Sequence, residues 1–418
     1  MRHTTRLVRV LALALGLAGI SVAQAGTHVF PMAAAAYAQG AAERRFDALM
    51  RDLLIIDTHV DTLGYVVDEG CRLADEHWYY EADIPRFRRG HAGAVFFGVY
   101  VQPQDAPRLW LGPALEWIDA LYEEARRNPR DLEVARTAAD IIRIHGAGRI
   151  AALPGLEGGQ MISNSLALLR DYYRLCVRYM TLTHFKTNDW ADSSGDTAVH
   201  NGLTPFGREV VREMNRLGMM VDISHVSDKA FYDALETSRA PVIASHSSLR
   251  ALCDIPRNMS DDMLRALARK GGVVFINFNV AYLDPGASAE FTSWGQRGRE
   301  VAEMTASHST DPLRWEMRRV ILGRYRERLP KVDAAVLLRH IDHAVKTIGA
   351  DHVGLGSDFD GVSGMVPAGV EDTSKYPVVV KGLMELGYSD TDIRKIMGEN
   401  LLRVLGAAAT TAAEMGGR

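Results

Sequence analysis

Residues 53–62 read LLIIDTHVDT, and how this stretch is read decides the fold of the rest of the chain. A short apolar run with β-branched residues marks a buried strand, and side chains two apart on a strand share a face. Asp57, His59 and Asp61 therefore look the same way as the run ends. They are either the start of a metal centre or a polar turn, and the choice depends on matching ligands elsewhere.

Comparable runs recur along the chain. The segments 93–101, 149–158, 179–184, 219–225, 241–246, 271–278 and 352–361 complete a set of eight with 53–59. Amphipathic helical patterns lie between them, at 113–127, 166–178, 204–218 and 261–270, with Ser260 as N-cap of the last, and another follows at 389–406. Eight strands alternating with helices predict an α/β fold, a closed (β/α)8 TIM-like barrel. The rival is an open doubly wound sheet, but no strand is followed by a Gly-rich phosphate loop. Residues 284–332, after the seventh strand, read as an insertion with helical character.

The flanks have a different character. Arg2, Arg6 and Arg9 precede an apolar run from Val10 to Val22, and Ala23-Gln24-Ala25 suits signal-peptide cleavage, so 1–25 is read as an export signal. Residues 26–42 are expected as a flexible tail, 43–408 as the barrel and 409–418 as a C-terminal tail. The net charge of -4 becomes -7 once the three arginines of 1–25 are removed, and no basic run stands out, which argues against nucleic acid as a partner. Cys71, Cys176 and Cys253 are too few for a disulfide framework, and three unpaired thiols are favoured over one bridge.

The reactive side chains fall at one end of the predicted strands. His59 and Asp61 close the first, Glu157 the third, His184 the fourth, His225 the fifth, His246 the sixth, and Asp358 with Asp360 the eighth. The carboxyl ends of parallel barrel strands share a rim, so these groups converge in space. Periodicity does not separate Asp358 from Asp360, and Asp57 reads as a deeper group that orients a ligand. Imidazole and carboxylate donors without thiolate suit zinc, manganese, cobalt or iron, with Glu157 able to bridge two ions. Such a pair does hydrolysis chemistry, and no G-x-S-x-G nucleophile elbow offers a serine route.

DTHVDT (57–62), GLEGG (155–159), TLTHFKTNDWADS (181–193), VDISHVS (221–227), ASHSSLRALCDIPRNMSDD (244–262), GLGSDFDGV (354–362) and GENLLRV (398–404) follow the order of the membrane dipeptidase (renal dipeptidase) family. The resemblance, to a branch of the amidohydrolase superfamily, runs from about Leu53 to Leu405. It implies a binuclear zinc barrel, with two zinc ions per chain, that hydrolyses dipeptides by a hydroxide held between the metals. By position, His59 and Asp61 resemble ligands of one zinc, His225 and His246 of the other, and Glu157 the bridge. Asp358 resembles the catalytic acid/base, His184 the group that binds substrate and steadies the oxyanion, and Arg257 the residue that binds the substrate's C-terminal carboxylate. The polar end AAATTAAEMGGR departs from the lipid-anchored relatives, which predicts a periplasmic or secreted protein without a stable membrane anchor. Cys253 lacks the partner expected near YLDPG (282–286), which leaves a Cys71–Cys176 bridge as the alternative to three thiols.

The resulting expectation is a metallo-dipeptidase, a hydrolase of peptide bonds, acting on dipeptides with a free C-terminal carboxylate, including those ending in a D-residue, and forming a homodimer by analogy. The alternative is a related binuclear hydrolase of N-acyl amino acids or β-lactams. A non-catalytic exported peptide-binding protein is disfavoured, because every ligand position is filled.

Overall fold

Each apolar run becomes a strand with both faces covered, and the strands close on themselves. A computed structural model describes residues 39–101, 110–294, 320, 323–324, 326–362 and 364–416. Its strands are β1 (Ile55–Val60), β2 (Ala92–Tyr100), β3 (Leu132–Val134), β4 (Ile150–Glu157), β5 (Tyr179–Thr181), β6 (Met220–Asp222), β7 (Ile243–Ser247), β8 (Val273–Ile276) and β9 (Val353–Leu355). All pair in parallel. β1 joins β2 on one side and β9 on the other, and β2 pairs with β4 from Ala94↔Ala151 to Tyr100↔Glu157. The ring β1-β2-β4-β5-β6-β7-β8-β9 is therefore a closed eight-stranded barrel, which excludes the open sheet.

The strand missing from the sequence reading is β3. It pairs with Ile150–Ala152 of β4, short of the Gly155–Glu157 stretch that pairs with β5. At three residues it is too short for period-two alternation to register. Ile56, Ala94, Phe96 and Leu153 of the barrel pack with Ile141 and Ile144 of the helix Ala138–Gly146 and with Leu401, Val404 and Leu405 of the helix Asn400–Glu414. Phe96 is wholly buried, and covering a ring of that size contributes about 1.5–3 kcal/mol.

Local chemistry sets the helix limits. Thr204 accepts from the Gly207 amide to cap Pro205–Leu217, and Gly218 ends that helix in the left-handed region. Ser260 caps Asp261–Arg269 through the Met263 amide at 3.3 Å, as expected from sequence. The C-terminal helical pattern is split by a π-helical stretch, Lys395–Glu399, before Asn400–Glu414. Asn400 there donates to the carbonyls of Ala350 and Val353, fixing the approach to β9. That helix continues through 409–414, expected as tail, because Thr411 and Ala412 bury against the fold in an alanine-rich, helix-favouring stretch.

Leu53–Arg418 forms one compact unit, and Met1–Asp52 forms another, whose described residues include a helix over 39–50. The signal segment and most of the expected tail lie outside the described residues. Of the expected insertion, Pro285–Ser293 is helical and 295–319 lie outside the described residues. None of the three cysteines is in a disulfide, so Cys71 and Cys176 are not bridged. Among the described residues no helix is long and apolar enough to cross a membrane.

His340 is wholly buried. It accepts from the Leu249 amide and donates to the Leu283 carbonyl. Burial pushes its imidazole down from 6.5 to about 4. The unfolded chain therefore binds the proton more readily, so His340's contribution is complete above about pH 6.5 and is lost as pH falls toward about 4. The loss reaches about 3 kcal/mol at the acid limit. His340→Gln, whose amide can both accept and donate, is expected to unfold in urea with a smaller difference between about pH 7 and about pH 5 than the parent. Equal pH sensitivity in the two proteins would rule this out.

Candidate metal centre

The strands end earlier than their apolar runs suggest, and the chain then turns sharply. His225, Asp358 and Asp360 have φ of 67°, 66° and 69°, in the left-handed region that non-glycine residues rarely adopt. Such strain persists where the surroundings hold it, and it clusters at functional sites. Here the turns aim side chains from the carboxyl ends of β6 and β9 over the barrel mouth.

The geometry centres on a single oxygen. Glu157 Oε1, at the end of β4, lies 3.2 Å from His225 Nε2 and 3.2 Å from His246 Nε2. It lies 3.6 Å from both His59 Nε2 and His184 Nε2. His59 Nε2 is also 3.4 Å from Asp61 Oδ1, and His225 Nε2 is 2.8 Å from His246 Nε2. Three overlapping donor groups form, each with ligand atoms within 4.8 Å of one another. They are His59–Glu157–His246, Glu157–His184–His225 and His59–Asp61–Asp358. The residues singled out along the sequence thus do come together.

Neighbouring groups set the tautomers. Tyr179 donates its hydroxyl proton to the Thr58 carbonyl at 3.1 Å, so at 2.7 Å it accepts from His59 Nδ1–H. The lone pair of His59 is then at Nε2, facing the cluster. Ser245 Oγ donates to Asp222 Oδ2 and accepts from His246 Nδ1–H at 2.7 Å, which leaves the His246 lone pair at Nε2 as well. Asp222 is fully buried and also accepts from the Ser224 and Ser245 amides and the Thr181 hydroxyl. Partners of this kind orient metal-binding imidazoles. Sequence reasoning passed over both Tyr179 and Asp222. VDISH carried a faint signal for Asp222, a carboxylate three residues before a ligand histidine.

The donor set fits divalent cations. Among the described residues, His59 Nε2 and Asp61 Oδ1 are buried without a hydrogen-bond partner, which is costly unless another charge meets them. Burial, followed by the Arg257 charge, holds His225 well below 6.5, and burial followed by the His59 charge does so for His246. Both are neutral imidazoles, the ligating form. For His59, burial pulls the pKa down, but Tyr179, Asp61 and Glu157 outweigh it and raise it well above 6.5. The field that draws a proton to Nε2 would equally draw a metal ion. For Glu157, burial opposes ionisation, yet His184 and His59 hold it well below the usual carboxylate range.

The two aspartates of GLGSDFDG separate cleanly. Asp358 faces His59 and Asp61 and accepts from Asn277 Nδ2 at 2.8 Å. Burial, then the Asp61 charge, raises its pKa well above 3.8. Asp360 is instead taken up by the Thr62 hydroxyl and the Glu81 amide, while its own amide donates to Glu81. Asp57 accepts from the His59 and Ser357 amides and the Tyr376 hydroxyl, so it steadies β1 through the backbone. Two glycines leave the cluster its space. A Cβ on Gly98 would come within 2.2 Å of Asp61 Oδ1, and one on Gly361 within 2.0 Å of Asp61 Oδ2.

Around this centre stand the groups that could meet a substrate. Burial lowers the His184 pKa to about 4, so the ring is neutral, and it packs 4.3 Å from the Tyr100 ring. Arg257 donates Nη1 to Ser247 Oγ and Nη2 to the His246 carbonyl, with its guanidinium 5.3 Å from the Tyr282 ring centre. Among the described residues its Nε is buried without a hydrogen-bond partner.

A closed parallel barrel carrying imidazoles and carboxylates around a shared buried oxygen at its carboxyl rim is the architecture of a metal-dependent hydrolase. Residues 43–417 match the family Membrane dipeptidase (Peptidase family M19). The chain is 37% identical over 344 residues to Dipeptidase tcpJ of Claviceps purpurea, covering 80% of this chain and 71% of that protein. It is 34% identical over 367 residues to Dipeptidase 3 of Rattus norvegicus, covering 85% of this chain and 65% of the rat protein. The crystal structure of the probable dipeptidase PvdM from Pseudomonas aeruginosa superposes with a TM-score of 0.75 at 27% identity, covering 88% of this chain and 99% of that one. A metallo peptidase from Rhodobacter sphaeroides, liganded with a phosphinate mimic of the dipeptide L-Ala-D-Ala, gives 0.71 at 25% identity, covering 85% and 99%. The chain belongs to the membrane dipeptidase family, peptidase family M19, a family of metallo-dipeptidases that hydrolyse peptide bonds.

Proposed function

We propose that this protein is an exported dipeptidase using two zinc ions, and that it cleaves dipeptides with a free C-terminal carboxylate. The observation that carries the reading is the position of Glu157 Oε1, within 3.6 Å of four imidazole nitrogens. Glu157 would bridge the ions, His59 and Asp61 would hold one, and His225 and His246 the other. When bound, such a pair polarises the scissile carbonyl and acidifies the attacking water.

The protein's own groups supply the remaining steps. Asp358 accepts the proton of the attacking water and returns it to the departing amine, a task suited to a carboxyl whose proton affinity burial has raised. His184 donates to the oxyanion, a charge present only after attack. Arg257, pinned by Ser247 and the His246 carbonyl, offers its Nε edge to the substrate carboxylate as one side of a planar fork. The phosphinate bound by the Rhodobacter relative mimics a dipeptide ending in D-Ala, which supports acceptance of a D-residue at that place. Export rests on the signal-like residues 1–25, and a homodimer on family analogy.

Arg257→Ala is expected to lower kcat/KM for unblocked dipeptides by about 10²-fold, chiefly through KM, with metal content unchanged. Unchanged turnover would remove Arg257 from the substrate site. Equal or faster hydrolysis of N-acyl amino acids or β-lactams by the parent enzyme would favour the alternative amide hydrolase.

A further inference from the structure

A second concave site lies at the opposite end of the barrel. Arg178 immediately precedes β5, and Arg216 lies in the last turn of the helix that leads to β6, so both stand at the amino-terminal rim, away from His184 and His225. With Arg136, Arg170 and Arg174 they line a cavity of about 320 Å³ beside Tyr173. Arginines drawn from separate parts of the sequence are thus concentrated on a chain whose net charge is -4.

Their partners among the described residues leave positive charge unmatched. Arg170 and Arg216 share Glu213, and Arg174 meets Asp171. Arg136 and Arg178 have no ion pair among the described residues. Arg178 is held rigidly: Nε donates to the Arg136 carbonyl at 2.6 Å, Nη1 to the carbonyls of Tyr173 and Val177, and the guanidinium stacks 4.4 Å from the Tyr173 ring centre. Its Nη2 makes no hydrogen bond among the described residues. Two carboxylates thus face five guanidiniums, one of them buried and fixed with only its Nη2 hydrogens unused. Guanidinium forks pair with phosphate and carboxylate oxygens through parallel charge-assisted bonds. A cavity of this size suits a small ligand rather than a polymer.

We propose that this cavity binds a small, multiply charged oxyanion. Phosphate and carboxylate anions share the required chemistry, and pyrophosphate and citrate represent the two sources. The test is calorimetric titration of the full-length, metal-loaded protein with each anion at physiological ionic strength, which screens diffuse surface attraction. Arg136→Ala/Arg174→Ala is the comparison, since both side chains are exposed. Saturable binding of at least one anion, weakened about tenfold or more in the double variant, is expected. Which anion binds more tightly identifies the source. No saturable heat with either anion would overturn the proposal, and so would unaltered affinity in a double variant whose thermal midpoint without anion matches the parent.

Discussion

Glu157→Ala is expected to purify with little bound metal and to lose dipeptide hydrolysis by about 10³-fold or more, because metal activation of water and carbonyl accounts for several kcal/mol of the barrier. The reason is geometric. One oxygen stands at 3.2–3.6 Å from the nitrogens of His59, His184, His225 and His246. Deleting it leaves each half of the site short of a ligand, with the His225 and His246 imidazoles that burial keeps neutral and no anion between them. Metal and activity should therefore fall together, read by elemental analysis and steady-state kinetics on the same preparation. A variant that kept two metals would show that Glu157 is not the bridge.

Asp358→Asn is the second large effect, and it should divide differently. Asparagine tolerates the left-handed backbone that Asp358 occupies at φ 66° and keeps a similar shape. What it lacks is a transferable proton. The expected result is a fall in kcat of about 10²–10⁴-fold with metal content near that of the parent. Loss of metal along with activity would instead make Asp358 a ligand, as its place beside His59 and Asp61 allows.

The barrel was legible because its strands are buried on both faces and read as continuous apolar runs. The site was legible because His59, Glu157, His184, His225, His246 and Asp358 each follow such a run. Less visible were features set by three-dimensional packing. Tyr179 lies 120 residues from the His59 it orients, and nothing local in YMTLTH marks it. The Asp222–Ser245–His246 chain crosses from β6 to β7 in the same way. Asp358 and Asp360 share a face by periodicity, and only the turn at the end of β9, with Glu81 and Thr62 waiting on one side, separates them. The arginine-lined cavity escaped notice because its residues come from several elements and form no basic run.

The assignment of a binuclear zinc dipeptidase is tested most directly by the metal content of the purified protein, measured together with hydrolysis of a library of unblocked L,L and L,D dipeptides. It predicts about two zinc ions per chain and cleavage of the unblocked dipeptides. Full activity in metal-free protein, or metal-loaded protein that leaves every dipeptide intact, would contradict it.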